Sequence, residues 1–164
     1  MKPIYLACSL LLTTVRPADA SVISAEESSR ALNIYNRVVD LQSMHRTPHK
    51  FSPGALTEQV CFSSIDNSVD RASGYLLAMY QTTALSGMAP DAVQERIALG
   101  FVKIDVKLLT IEADDLRDSV NVARGMCPMN SDIENYGKTV VAISDDVKSL
   151  IQPIEAKIDA LPPP

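Results

Sequence analysis

Three short groups of residues in this chain have types and spacings that suit chemistry. Met44-His45-Arg46-Thr47-Pro48-His49 holds both histidines, four apart, the spacing that sets two imidazoles on one helical face for a metal ion. Pro48 works against that use, because the residue before a proline avoids helical backbone and the pair then straddles a helix end. With no carboxylate motif beside them, His45 and His49 read more simply as solvated groups that suit the negative end of a helix. Met126-Cys127-Pro128-Met129 gathers the soft sulfur ligands that copper takes. A disulfide at Cys127 would remove the thiolate, and two methionines more often fill an apolar corner. The third group is Glu112, Asp114, Asp115 and Asp118, with Asp66 and Asp70 earlier in the chain. Carboxylates on facing helices build two-metal iron sites, but those sites also need Glu-x-x-His, which is absent, so a solvated acidic face is expected.

Recognisable catalytic machinery is missing. The chain has no Gly-x-Ser-x-Gly elbow, no phosphate-cradling glycine loop and no Cys-x-x-Cys. No cofactor is expected. An all-helical enzyme with a charged site inside the fold, built from scattered residues such as Arg30, Arg37, Asp40 and Lys50, is the alternative to a non-catalytic protein.

The compartment follows from the first twenty residues, MKPIYLACSLLLTTVRPADA. Lys2 supplies a positive end, Ile4 to Val15 an apolar stretch, and Ala18-Asp19-Ala20 a small-x-small cleavage site, so residues 1–20 read as a signal peptide and the mature protein as exported, periplasmic or extracellular. Cys8 precedes the strongest apolar run instead of following it, which argues against a lipoprotein anchor. No later apolar run approaches the roughly twenty residues that a bilayer span needs, so no membrane span is expected in the mature chain. Removing Lys2, Arg16 and Asp19 with the leader takes the net charge from −5 to −6, which gives no electrostatic case for nucleic acid or anionic lipid. Cys61 and Cys127 remain, and an oxidising destination pairs them in one disulfide.

The elements that must position these groups are helical throughout. Ser24-Ala25-Glu26-Glu27 is a capping box that opens a helix running to about Met44. A second helix, from Ser52 or Thr57 to about Leu85, carries Cys61, Ile65, Val69, Ala72, Leu76, Met79 and Thr83 on one face. Ser131-Asp132-Ile133-Glu134 reads as another capping box and opens a last helix, with Pro153 expected to kink or end it. Between them, one helix from Pro90 to Arg124 would leave Cys127 12 residues out of step with Cys61, about 18 Å, whereas a disulfide tolerates about 7 Å between Cα atoms. A break at Gly100 restores the match, which predicts a short connecting helix from Pro90 to Leu99 and a long one from Phe101 to Arg124, with Gly125 as a left-handed cap.

The expected fold is therefore all-α: an antiparallel, up-down-up-down four-helix bundle over residues 21–160, with a short extra connecting helix, one disulfide and a disordered proline-rich tail at 161–164. The third helix carries two apolar stripes, Phe101, Ile104, Leu108, Ile111 and Val102, Val106, Leu109, Ala113. So wide an arc suits a central place in the core, or else leaves a surface for a partner. Val102, Val106 and Leu109, with Leu77 of the second helix, are the residues taken for that surface. The expected function is non-catalytic protein binding, as in an inhibitor, immunity factor or adaptor, with another protein or a second copy as partner.

Overall fold

The computed structural model describes residues 21–45, 55–127 and 131–161, with side chains from 59 onward in the second segment and up to 44 in the first. The described residues form four helices: α1 (Ala25–His45), α2 (Ala55–Gly87), α3 (Ala92–Met126) and α4 (Ser131–Asp159). The capping box at the start of α1 forms as expected. The Ser24 backbone N–H donates to Glu27 Oε2 at 2.8 Å while the Glu27 N–H donates to Ser24 Oγ at 3.2 Å, so two N–H groups that a helix start leaves unpaired are satisfied. Ser131, by contrast, is already the first residue of α4, and Glu134 pairs with Lys138 one turn on at 2.9 Å.

Neighbouring helices run antiparallel, as the residues that meet across each seam show. Ser28 of α1 meets Thr83 of α2 at 2.6 Å while Gln42, later in α1, meets Asp70, earlier in α2. Lys103, Asp114 and Arg117 of α3 pair in that order with Asp159, Lys148 and Asp145 of α4. Glu27 and Arg37 of α1 pair with Lys157 and Asp146 of α4. The buried faces are those that helical periodicity requires: Ala31, Ile34, Val38 and Leu41 on α1, the Cys61-to-Thr83 face on α2, and Ile133, Tyr136, Val140, Ile143, Val147, Leu150 and Ile154 on α4.

Cys61 and Cys127 are joined, with Cα atoms 6.2 Å apart. The route to that bond differs from the expected one, because α3 does not break at Gly100. Leu99, Val102, Val106, Leu109, Ala113, Leu116, Val120 and Ala123 are all buried and follow one another by three and four without a change of phase, so a break beside Leu99 would lift the stripe off the core. Gly100 faces solvent on that helix, where it costs about 1 kcal/mol relative to alanine, less than the roughly 1.5–3 kcal/mol of burying Leu99.

The mismatch is absorbed in the connection. Thr82 Oγ1 donates to Asp105 Oδ2 at 2.7 Å, and Arg71 Nε donates to Glu112 Oε1 at 3.0 Å. Counting along α2 and α3 from the Thr82–Asp105 contact puts Gly87 level with Gly100, so α3 begins about two turns, or ~12 Å, beyond the end of α2. The five steps from Gly87 to Ala92 span up to ~17 Å when extended, enough to climb that distance. Asp91 then starts α3 by accepting the Gln94 N–H at 2.8 Å. The overhanging turns are covered by the N-terminal residues: Ile23 is buried and the Val22 N–H donates to buried Glu95 at 3.1 Å.

Three further expectations are corrected. Gly125 is not a left-handed cap; α3 runs through it to Met126, and Cys127 ends the helix in extended backbone with its N–H on Ala123 O at 2.9 Å. Pro153 does not end α4, which continues to Asp159 because Ile154 and Ile158 are buried and Lys157 and Asp159 are tied to Glu27 and Lys103. Leu161, assigned to the tail, packs on the core, and residues 162–164 lie outside the described residues.

Two glycine substitutions test this geometry in opposite directions. Gly100→Ala adds helix propensity where nothing lies within 4 Å of the new methyl, and raises stability by about 1 kcal/mol in urea unfolding; a glycine-dependent break would make it destabilising. Gly137→Ala places a Cβ 2.9 Å from Cγ1 of Val120, a stiff β-branched side chain, and lowers stability by about 1–3 kcal/mol.

Candidate functional site

The charged residues that could build a catalytic or metal centre are spread along the seams between helices. Arg71 of α2 bridges Glu112 and Asp115 of α3, both at 3.0 Å. Asp114 is held by Lys148 at 2.6 Å, Asp70 accepts from Gln42 at 2.6 Å, and Asp66 accepts from the Tyr136 hydroxyl. Asp118 is exposed. Only Glu112 and Asp115 share a partner, and among the described residues no group of three or more histidine, cysteine, aspartate or glutamate side chains comes together. Arg30 reaches Ser149 and Arg37 reaches Asp146, both across the α1–α4 seam at the surface, and Asp40 is exposed. Lys50, His49 and Met129 and the His45 side chain lie outside the described residues. Met126 is exposed, and the sulfur of Cys127 is in the disulfide.

The groups whose protonation is shifted are explained by packing. Burial pushes the Glu27 carboxyl up, but the hydrogen bonds from Lys157 and Ser24 outweigh it and hold the group below the usual carboxylate range. Burial also raises Asp105, and the single bond from the Thr82 hydroxyl offsets it only in part. Burial, and then the bond to Asp66, raises the Tyr136 phenol. Each sits in a helix–helix seam, where the shift reflects a structural bond.

What the structure does leave open is an apolar surface. Val102, Val106 and Leu109, taken from the sequence for a partner face, are fully buried, and Leu77 is half-buried, so that assignment is corrected. The other stripe of α3 is the outward one. Val93, Ile97, Phe101, Ile104 and Ile111 are each 55–70 % exposed, with Leu108 half-buried among them. The α2–α3 register sets Leu85 and Met88, 57 and 72 % exposed, beside the Phe101 end of this stripe. Among the described residues, seven of the twelve exposed large apolar side chains thus share one end of the α2–α3 face, whereas a chance scatter would spread them over the surface. Lys103 and Lys107 flank the stripe on the side toward α4; Asp105 and Glu112 flank it on the side toward α2.

Comparison with family models, curated proteins and solved structures finds no match to this chain.

Asp105 gives this seam a pH signature. Its folded-state affinity for a proton exceeds the unfolded one, so its ionisation opposes folding as pH rises through and above the carboxylate range. Asp105→Asn, which keeps an oxygen for the Thr82 hydroxyl, raises the melting temperature at neutral pH, and the gain disappears at pH values where the aspartic acid is already protonated. Thermal unfolding at several pH values reads both arms.

Proposed function

We propose that this chain is an exported helical bundle, processed after Ala20, that acts without catalysis by binding protein through the outer face of α3 and the adjoining end of α2. The observation that carries the reading is the outward stripe from Val93 to Ile111, with Leu85 and Met88 beside it, on a molecule whose interhelical ion pairs lie along the other seams and leave this stripe bare. Solvent-facing apolar groups so clustered are costly to leave in water and are the usual mark of a surface that is covered in use. An inhibitor, immunity factor or adaptor of the periplasm or exterior fits that chemistry.

Export is supported by the leader and by the disulfide, which persists in an oxidising compartment. Packing begins close behind the proposed cleavage site: Val22 bonds Glu95 and Ile23 is buried. Cleavage after Ala20 therefore leaves a first residue, Ser21, that adjoins the fold. The enzyme reading has less behind it, since Arg30, Arg37 and Asp40 lie at the surface and do not converge.

Native protein isolated from its own cells and their medium together is expected to begin at Ser21 and to have no reactive thiol, read by intact mass before and after alkylation. A chain that keeps residues 1–20, or one with both thiols free, would refute export. Binding is checked separately with a photoreactive amino acid at Phe101: it is expected to form a protein adduct in the native compartment, and the same group at exposed Asp40, on α1, is expected to form none. Equal labelling at the two positions removes the α3 face from the proposal.

A further inference from the structure

We infer that removal of residues 1–20 completes the fold: the α-ammonium created at Ser21 pairs with the buried Glu95 carboxylate and ties the chain start over the overhanging turns of α3. This rests on the reading of Ala20–Ser21 as the processed bond. The Val22 N–H already donates to Glu95 Oε1 at 3.1 Å, and Glu95 is only 5 % exposed although it lies in the first turn of its helix. Ile23 is buried and Val22 packs on the core, so the chain enters the fold at this carboxylate. Successive backbone nitrogens are about 3 Å apart, which keeps the Ser21 nitrogen within roughly 7 Å of the same oxygen at any ψ. Rotation about the Cα–C bond of a terminal residue is enough to bring that nitrogen onto the carboxylate beside the Val22 N–H. Ser21 is itself half-buried, its hydroxyl out of water and without a hydrogen-bond partner among the described residues, so the new charge forms against protein and not in open solvent.

In the precursor the Ser21 nitrogen is a neutral amide. Water added across the Ala20–Ser21 bond by a peptidase leaves a carboxylate on Ala20, which departs with the leader, and an amine on Ser21 that is protonated at neutral pH. A positive charge thus appears one residue from a carboxylate that water scarcely reaches, where attraction is screened less than at the surface. Asp91, which caps α3 by accepting the Gln94 N–H, adds a second negative charge one turn before Glu95, and together they offset the positive end of the α3 dipole. Glu27, close behind the chain start, is already held by Lys157 and Ser24 and does not compete. The cover that Val22 and Ile23 provide for the overhang is therefore strengthened only after processing. A chain that crosses a membrane extended gains from a fold that tightens once its leader is gone.

The test uses the mature, disulfide-bonded protein, whose start at Ser21 is first read by intact mass. Periodate, with a thioether added to protect the methionines, splits the Cα–Cβ bond of an N-terminal serine and turns its amine-bearing carbon into an aldehyde, so it removes the ammonium from Ser21 and from no other residue. The treated protein is expected to lose on the order of tenfold in its folding equilibrium constant, read by urea unfolding. Acetylation of the Ser21 amine, which removes the charge and keeps the hydroxyl, is expected to give a comparable loss. Glu95→Gln, which keeps an oxygen for the Val22 N–H, is expected to show that loss before treatment and no further loss after it. Treated wild-type protein as stable as untreated, or an equal further loss in Glu95→Gln, overturns the inference and leaves the processing site intact. A mature protein that begins elsewhere overturns the processing reading and this inference with it.

Discussion

The register between α2 and α3 is the constraint on which the rest of this structure depends. It is held at three heights by bonds of different kinds: Thr82 to Asp105 near the end of α2, Arg71 to Glu112 and Asp115 at mid-height, and the disulfide from Cys61 to Cys127 at the other end. Of these the covalent tie carries the most. Closing a loop of 66 residues removes unfolded-state entropy worth about 4 kcal/mol on the chain model, against the 5–15 kcal/mol of net stability usual for a domain. With that register set, the two extra turns of α3 have no α2 beside them and must be covered from elsewhere, which is the part played by Val22 and Ile23.

The ion pairs follow from the register and contribute in another way. Lys103, Asp114 and Arg117 line up with Asp159, Lys148 and Asp145 along one seam, all of them partly exposed, where a single pair is worth about 0–1 kcal/mol. Such pairs add little stability, but a helix displaced by one turn would set like charges together. They specify which of several apolar packings is adopted. The same placement accounts for the failure of the carboxylates to form a metal centre: Glu112, Asp115 and Asp114 lie on one helix but on opposite sides of it, so α2 takes the first two and α4 the third.

Most of the architecture was legible in the sequence because each helix buries a stripe of regular three-four spacing, and α1 also bears its start signal openly. The all-helical class, the antiparallel order, the Ser24–Glu27 box and the Cys61–Cys127 bond all follow from spacing and type. The Gly100 break was wrong for a physical reason: the cysteine arithmetic required residue 101 to lie level with the end of α2, which it does, but it took the two helix ends as level too. Nothing in the residues 88–91 says how far that connection climbs. The cap at Gly125 and the stop at Pro153, one of the two outcomes expected there, do not form, because local preferences of about 1–3 kcal/mol are outweighed by burial of Ala123, Ile154 and Ile158.

The exposed face was missed because periodicity alone cannot choose between two stripes, here about 150° apart on one helix. The signal that could have chosen is length. The stripe from Leu99 through Val102, Val106, Leu109, Ala113, Leu116, Val120 to Ala123 runs for eight positions without a charge, as a core-facing stripe on a helix of this length must. The stripe through Ile97, Phe101, Ile104, Leu108 and Ile111 meets Asp115 and Asp118 after five, and a charge in line with an apolar stripe means that the line reaches water. It begins on the overhang, where no turn of α2 stands alongside Val93 and Ile97. The disulfide's register thus leaves the first turns of α3 standing clear of α2, and the apolar residues there form a surface distinct from the core.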